Sequence, residues 1–321
     1  MTLESATSSI DDYRSLYRQA KFGWQEALAI ARKHGLQGMP RRNFEASNVV
    51  FEFGNAWLKL SPMFWREAHL AEQRVLEAWD GQLPLRIPRL IAADSFEGWS
   101  YLITEHVSGE HYKNLAPALA SDGHMSFAQQ IGELIGAISH LSPLGLPCDG
   151  GHWTEFAHHQ VEQAAHLHRK RTHRQVWPPQ IAEFLQRNAH LVLRLSNLRT
   201  LHADINGNHL LFDGATSEIV GLIDFADAMD APIELDFVLP FVCFFKGNHA
   251  LQKRAIQASG VPFGFAQQEY SNGMMALTLM NRFICFEEWF DAELSSGAAS
   301  IEEVARRVYP SESLIEGYNN V

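Results

Sequence analysis

Cysteine is scarce in this chain. Cys148, Cys243 and Cys285 are its only thiols, and no two of them form a C-x-x-C pair. That argues against a disulfide framework and a thiolate zinc site, and sets a reducing cytoplasm as the expected compartment. Long apolar runs are missing too; nothing approaches the roughly 18 residues that a bilayer-spanning helix needs. Met1 to Asp12 is polar and acidic, without the basic-then-apolar order of a signal peptide. Positive charge is in deficit, with 26 Lys and Arg against 37 Asp and Glu and a net charge of −11. A nucleic-acid binder should carry a basic patch; an acidic chain instead suits a cationic small molecule. The expectation is a monomer or dimer with a small-molecule partner, and neither nucleic acid nor membrane. No His-Glu-x-x-His or His-x-His-x-Asp-His cluster is present, and residues 39–53 contain no glycine.

What is present is a chain of 321 residues, 46% hydrophobic and 20% charged, enough for one large or two linked lobes. Apolar side chains at helical spacing run through residues 10 to 34, ended by Gly35 and Gly38. Val49–Phe53 and Ala56–Leu60 flank Gly54-Asn55, which predicts a β-hairpin. A helix is expected over 64–79, then strands over 89–92 and 99–104. After Val107-Ser108-Gly109-Glu110 the pattern turns mainly helical, with helices expected over 127–140, 156–174 and 179–195. Short apolar strands over 199–203, 210–212 and 219–223 interrupt it. The expected fold is α+β and two-lobed, with a small antiparallel-sheet lobe over 1–106, a larger mainly helical lobe over 107–321, and a cleft at the connector.

The chemistry concentrates in His202-Ala203-Asp204-Ile205-Asn206-Gly207-Asn208-His209 and in Ile223-Asp224-Phe225. Phosphoryl transfer needs a carboxylate for the acceptor hydroxyl, magnesium ligands and a lysine for nucleotide phosphates. Asp204 sits in a polar loop between apolar strands, and Asp224 follows an apolar run that would deliver it at a strand end. Lys59 lies on the second strand of the hairpin, with Glu72 on the next helix as its candidate partner. Strand lysine, helix glutamate and then the two aspartates is the order found in kinases.

These residues resemble the aminoglycoside phosphotransferase family, which shares its fold with protein kinases. Trp57-Leu58-Lys59-Leu60 resembles the lysine strand, and Tyr101 to Gly109 the hinge that holds adenine. Leu201 to Phe245 and Phe286-Glu287-Glu288 are most similar to hygromycin B phosphotransferases. The resemblance implies ATP or GTP and Mg²⁺ as cofactors. It implies Asp204 as the catalytic carboxylate, Asp224 as the principal metal ligand, Lys59 on the phosphates and Glu72 positioning Lys59. His202 would be structural, and Asp236 would brace the catalytic loop. Glu105 and Val107 would hold the base, and Ser47 and Asn48 would replace a glycine-rich phosphate loop. His209 stands where the family usually has a metal-binding asparagine. Imidazole suits magnesium poorly, so His209 is expected to face the nucleotide site as a weak metal ligand or a phosphate contact.

Acidic residues near these motifs, Asp227 and Asp230 with Glu287 and Glu288, are candidates for binding an amine-bearing acceptor. Trp289 is a candidate for stacking on a sugar. His152, His158, His159, His166, His168 and His173 cluster in sequence, but no pair has the i, i+3 or i, i+4 spacing of a helical metal site. The expected activity is phosphorylation of a hydroxyl on an aminoglycoside or aminocyclitol antibiotic. Rival readings are a metabolic kinase for a sugar, amino alcohol or macrolide, a metal-dependent hydrolase, and a non-catalytic nucleotide-binding protein.

Overall fold

The structure, a computed structural model, describes residues 9–115, 121–148, 151–281 and 284–314. The expectations for Met1 to Ser8 lie outside these residues. The chain divides into two compact units, Met1–Gly109 with Val220–Ala228, and Glu110–Ile219 with Met229–Val321.

The first unit is built on an antiparallel sheet in the order β1-β2-β3-β5-β4, from β1 (Arg41–Asn43), β2 (Val49–Phe53), β3 (Ala56–Ser61), β4 (Leu90–Phe96) and β5 (Trp99–Glu105). The Gly54-Asn55 turn closes the β2–β3 hairpin in the register Phe53↔Ala56, with Gly54 left-handed at φ 59°. Strand period sorts the side chains. Val49, Phe51, Phe53, Leu58, Leu60, Trp99 and Ile103 enter one core with residues of α1 (Ile10–Leu16) and α2 (Trp24–His34). Trp57 and Lys59 therefore project from the opposite face. There Lys59 meets α3 (Arg66–Trp79), which follows a short 3₁₀ turn at Met63–Trp65.

The segment 220–228 joins this unit through a parallel bridge between Arg86 and Gly221. The Arg86 amide donates to the Val220 carbonyl at 3.0 Å, and the Leu222 amide donates back to the Arg86 carbonyl at 3.0 Å. The Trp79 ring also stands edge-on to Phe225, with centroids 5.8 Å apart.

In the second unit, β6 (Glu110–His111) pairs antiparallel with β8 (Leu210–Phe212), and β7 (Leu198–Leu201) with β10 (Met229–Pro232). β10 is absent from the sequence expectation because it is short and ends in proline. β9 (Ile219–Leu222) carries the chain out of this unit. The remainder is helical: α4 (Tyr112–Leu115), α5 (Ser121–Ser139), α6 (Trp153–Arg169), α7 (Trp177–Leu193), α8 (Glu234–Cys243), α9 (His249–Ser259), α10 (Gln267–Met280), α11 (Phe286–Trp289), α12 (Asp291–Ser295) and α13 (Ile301–Val308). α5 approaches α9 closely because Gly132 and Gly136 present no side chain; a Cβ there would overlap the Ala255 and Ser259 carbonyls. α6 and α7 start a few residues earlier than expected, with Trp153 and Trp177 buried in their first turns. Among the described residues no helix is long and apolar enough to cross a membrane, and no disulfide links the three cysteines.

Candidate active site

In the first unit the structure brings Lys59, Glu72 and Asp224 together. Lys59 Nζ donates to Glu72 Oε2 at 2.7 Å and to Asp224 Oδ1 at 2.9 Å. The Lys59 and Glu72 side chains are 14% and 9% exposed, whereas Asp224 keeps 40% of its surface, so the cluster opens on the Asp224 side. Burial works against the Lys59 charge, but Asp224 and Glu72 outweigh it and hold the ammonium above its ordinary pKa. Glu72 shifts upward: burial raises it more than Lys59 lowers it, and Asp224 adds to the rise. Asp224 itself sits at φ 66°, a left-handed conformation that a non-glycine residue rarely adopts.

Trp57, placed by the sequence in the lysine strand but given no role, sits two residues before Lys59 and hence on the same face of β3. It stacks on His106 at 6.1 Å with the rings 23° apart. In the hinge, the Glu105 amide donates to the Arg89 carbonyl at 2.9 Å and the His106 amide to the Asn55 carbonyl at 2.8 Å. Ser47 is exposed in the β1–β2 loop. Asn48 is only 7% exposed, with its side-chain oxygen buried.

In the second unit the loop 202–209 is organised around Asp204. Asn206 Nδ2 donates to Asp204 Oδ1 at 2.8 Å, and His209 Nδ1 lies 3.4 Å from Asp204 Oδ2. His209 Nδ1 also donates to the Asp204 carbonyl at 2.8 Å. A carbonyl only accepts, so this nitrogen carries the proton and leaves Nε2 as the ring's lone-pair position when neutral. His202 is fully buried and its Nδ1 accepts the Asp204 amide at 3.2 Å. Ala203 is left-handed at φ 62°, and Asp236 in the first turn of α8 accepts the Ala203 amide at 2.7 Å and the His202 amide at 3.3 Å. Burial pushes the Asp236 carboxyl up to about 7, against the pull of these two bonds. Gly207 lets Tyr112 pack on the loop, since a Cβ would lie 3.1 Å from the ring.

Two of the residues expected at the acceptor also hold backbone. Asp230 Oδ1 accepts from Thr200 Oγ1 at 2.6 Å and Oδ2 from the Gly145 amide at 2.8 Å, which pins β10 beside β7. Glu287 Oε1 and Oε2 accept the Arg174 and His173 amides at 2.7 and 2.8 Å, fixing the turn between α6 and α7. Both carboxylates brace backbone, and Glu288 beside Glu287 is exposed. Within the histidine-rich segment, His168 is core: it is 1% exposed and its Nε2 donates to the Leu279 carbonyl at 2.9 Å. Among the described residues no three histidine, cysteine or carboxylate side chains gather as a metal cluster. Asp224, a partly exposed hard oxygen donor, nonetheless fits magnesium.

No curated protein sequence matches this one. Solved structures are similar at low identity. Aminoglycoside phosphotransferase APH(3'')-Id from Streptomyces rimosus, in complex with ADP and streptomycin, aligns with TM-score 0.59 and 16% identity over 80% of this chain and 98% of its own. The GDP complex of a mutant of aminoglycoside 2'-phosphotransferase-IIIa gives 0.61 and 13% over 90% and 99%. Macrolide 2'-phosphotransferase type I gives 0.56 and 17% over 93% and 97%. These establish the kinase-like fold. The model of the phosphotransferase enzyme family (APH) matches residues 41–267, well over half of the sequence, and the chain belongs to that family.

Proposed function

We propose that this enzyme transfers the γ-phosphate of ATP or GTP to a hydroxyl of an aminoglycoside- or aminocyclitol-type antibiotic. The observation that carries this reading is the Lys59 ammonium held between Glu72 and Asp224. The structural neighbours complexed with ADP and streptomycin, and with GDP, support the nucleotide and acceptor classes. Lys59 would pair with nucleotide phosphates, Glu72 would hold its direction, and Trp57 would wall a planar base while Glu105 and Val107 offer hinge backbone. Asp204 would align the acceptor hydroxyl and take its proton, its carboxylate oriented by Asn206 and its backbone by His202 and Asp236. Magnesium on Asp224 would neutralise charge on the phosphate oxygens. His209 Nε2 would face the nucleotide as a weak metal ligand or phosphate contact, and Asp227 and Glu288 would meet acceptor amines. A hygromycin B-like acceptor is the narrower proposal, resting on the stretch Leu201 to Phe245. A macrolide acceptor is the second, favoured by the macrolide phosphotransferase neighbour.

The test is ADP or GDP release with Mg²⁺ across aminoglycosides, aminocyclitols and macrolides. Acceptor-dependent release supports the reading, and nucleotide binding without release for any acceptor contradicts it.

A further inference from the structure

Tyr13 and Arg42 belong to none of the sets above, yet they grip both ends of the loop between β1 and β2. Tyr13 Oη donates to the Ser47 carbonyl at 2.6 Å. Arg42 Nη1 donates to the carbonyls of Asn43 at 2.7 Å and Val50 at 3.1 Å, and its Nη2 to the Tyr17 carbonyl at 2.9 Å. Both side chains are enclosed, Tyr13 at 1% and Arg42 at 8% exposure. Tyr13 stacks on Tyr17 with centroids 5.3 Å apart and meets Phe64 and Trp65 edge-on at 5.7 and 5.0 Å. The arginine plane lies 5.4 Å from the rings of both Phe44 and Phe51. The loop tip itself is exposed at Phe44, Glu45 and Ser47. An exposed tip on an enclosed polar base is the arrangement of a loop that meets a ligand while its conformation is set from behind.

We propose that Tyr13 and Arg42 form a clasp through which the N-terminal helix fixes loop 43–48 and thereby sets nucleotide affinity. This rests on the nucleotide reading above. The loop lacks glycine, and its enclosed Asn48 side chain is turned away from solvent, so phosphate contacts fall to backbone amides and Ser47. Such donors are effective only when their directions are fixed beforehand, because ordering a loose loop on binding opposes affinity. Tyr13 is a positioning residue: it touches the carbonyl of Ser47 and acts through the loop.

The experiment compares wild type with Tyr13→Phe, which removes one hydroxyl, and with Arg42→Lys, which keeps charge and loses the forked geometry. Mg·ATP and Mg·GTP binding, steady-state kinetics and amide hydrogen exchange over 43–48 are read in each. The clasp predicts that Kd and nucleotide KM rise roughly three- to tenfold, while kcat at saturating nucleotide stays near wild type. It also predicts faster exchange of loop amides without nucleotide, and a smaller difference once nucleotide is saturating. Unchanged Kd and exchange in both variants overturn the clasp. A fall in kcat at constant Kd overturns it as well. A wild type that binds neither nucleotide overturns the function reading and the clasp's role in affinity, while exchange in Tyr13→Phe still reports whether the loop is held.

Discussion

Lys59 reaches Asp224 across 165 residues of sequence, Nζ to Oδ1 at 2.9 Å, while the same ammonium holds Glu72 at 2.7 Å. One cation thus orders two carboxylates of opposite exposure. Lys59→Met leaves Glu72 buried without its charge partner, which should destabilise the protein by about 3 kcal/mol. Lys59→Met with Glu72→Gln should recover part of that loss, because the second change removes the stranded charge. Urea denaturation of both variants at pH 8 checks this. With Lys59 on the nucleotide phosphates as proposed, phosphoryl transfer should fall roughly 10²- to 10³-fold in each.

Asp236 makes stability depend on pH in an unusual direction. Its folded pKa is raised to about 7 by burial, above the unfolded value of about 3.9. Between these values the native state binds a proton that the unfolded chain lacks, so its contribution is full in acid below about pH 4 and is lost as pH rises through 7. Asp236→Asn resembles the protonated acid and should flatten that slope. Relative to wild type it should gain on the order of 2–4 kcal/mol between pH 4 and 8, measured by denaturant titration at both pH values.

His69 and His168 act in the opposite sense. Burial lowers each to about 4; for His69 the neighbouring Lys59 and Arg66 add to the drop. Their contribution is present above the unfolded value near 6.5 and is lost as pH falls towards 4. His69→Gln with His168→Gln should reduce the loss of stability between pH 6.5 and 4, whatever it does to stability at pH 7. An unchanged slope in melting temperature against pH would contradict the assignment.

The fold was largely legible because period-2 and period-3.6 patterns are local. The β2–β3 hairpin, the helix bearing Glu72 and the strands around the Asp204 loop follow from residues close in sequence. The attachment of Asp224 to the first unit did not, since it depends on Arg86 bridging Gly221. The work of Asp230 and Glu287 was hidden for the same reason: which amides a carboxylate meets is decided by tertiary pairing. Asn48 illustrates the converse, a polar residue in a loop whose backbone turns its side chain inward. Trp57 was available to the strand-period argument through its spacing from Lys59.

The α5–α9 crossing supplies a prediction away from the chemistry. At Gly132 an added methyl would overlap the Ala255 carbonyl and lie 2.9 Å from Ala258 Cβ. Backbone cannot yield as a flexible side chain can. Gly132→Ala should therefore destabilise by about 1–3 kcal/mol despite the gain in helix propensity, seen as a fall of several degrees in the thermal midpoint.

The most direct test of phosphoryl transfer is Asp204→Asn, which keeps size and shape and removes the carboxylate. With Mg·ATP or Mg·GTP and an acceptor that supports turnover in wild type, the variant should lose acceptor-dependent ADP or GDP release by roughly 10²-fold or more while binding nucleotide as wild type does. Wild-type-like turnover in Asp204→Asn would contradict the account.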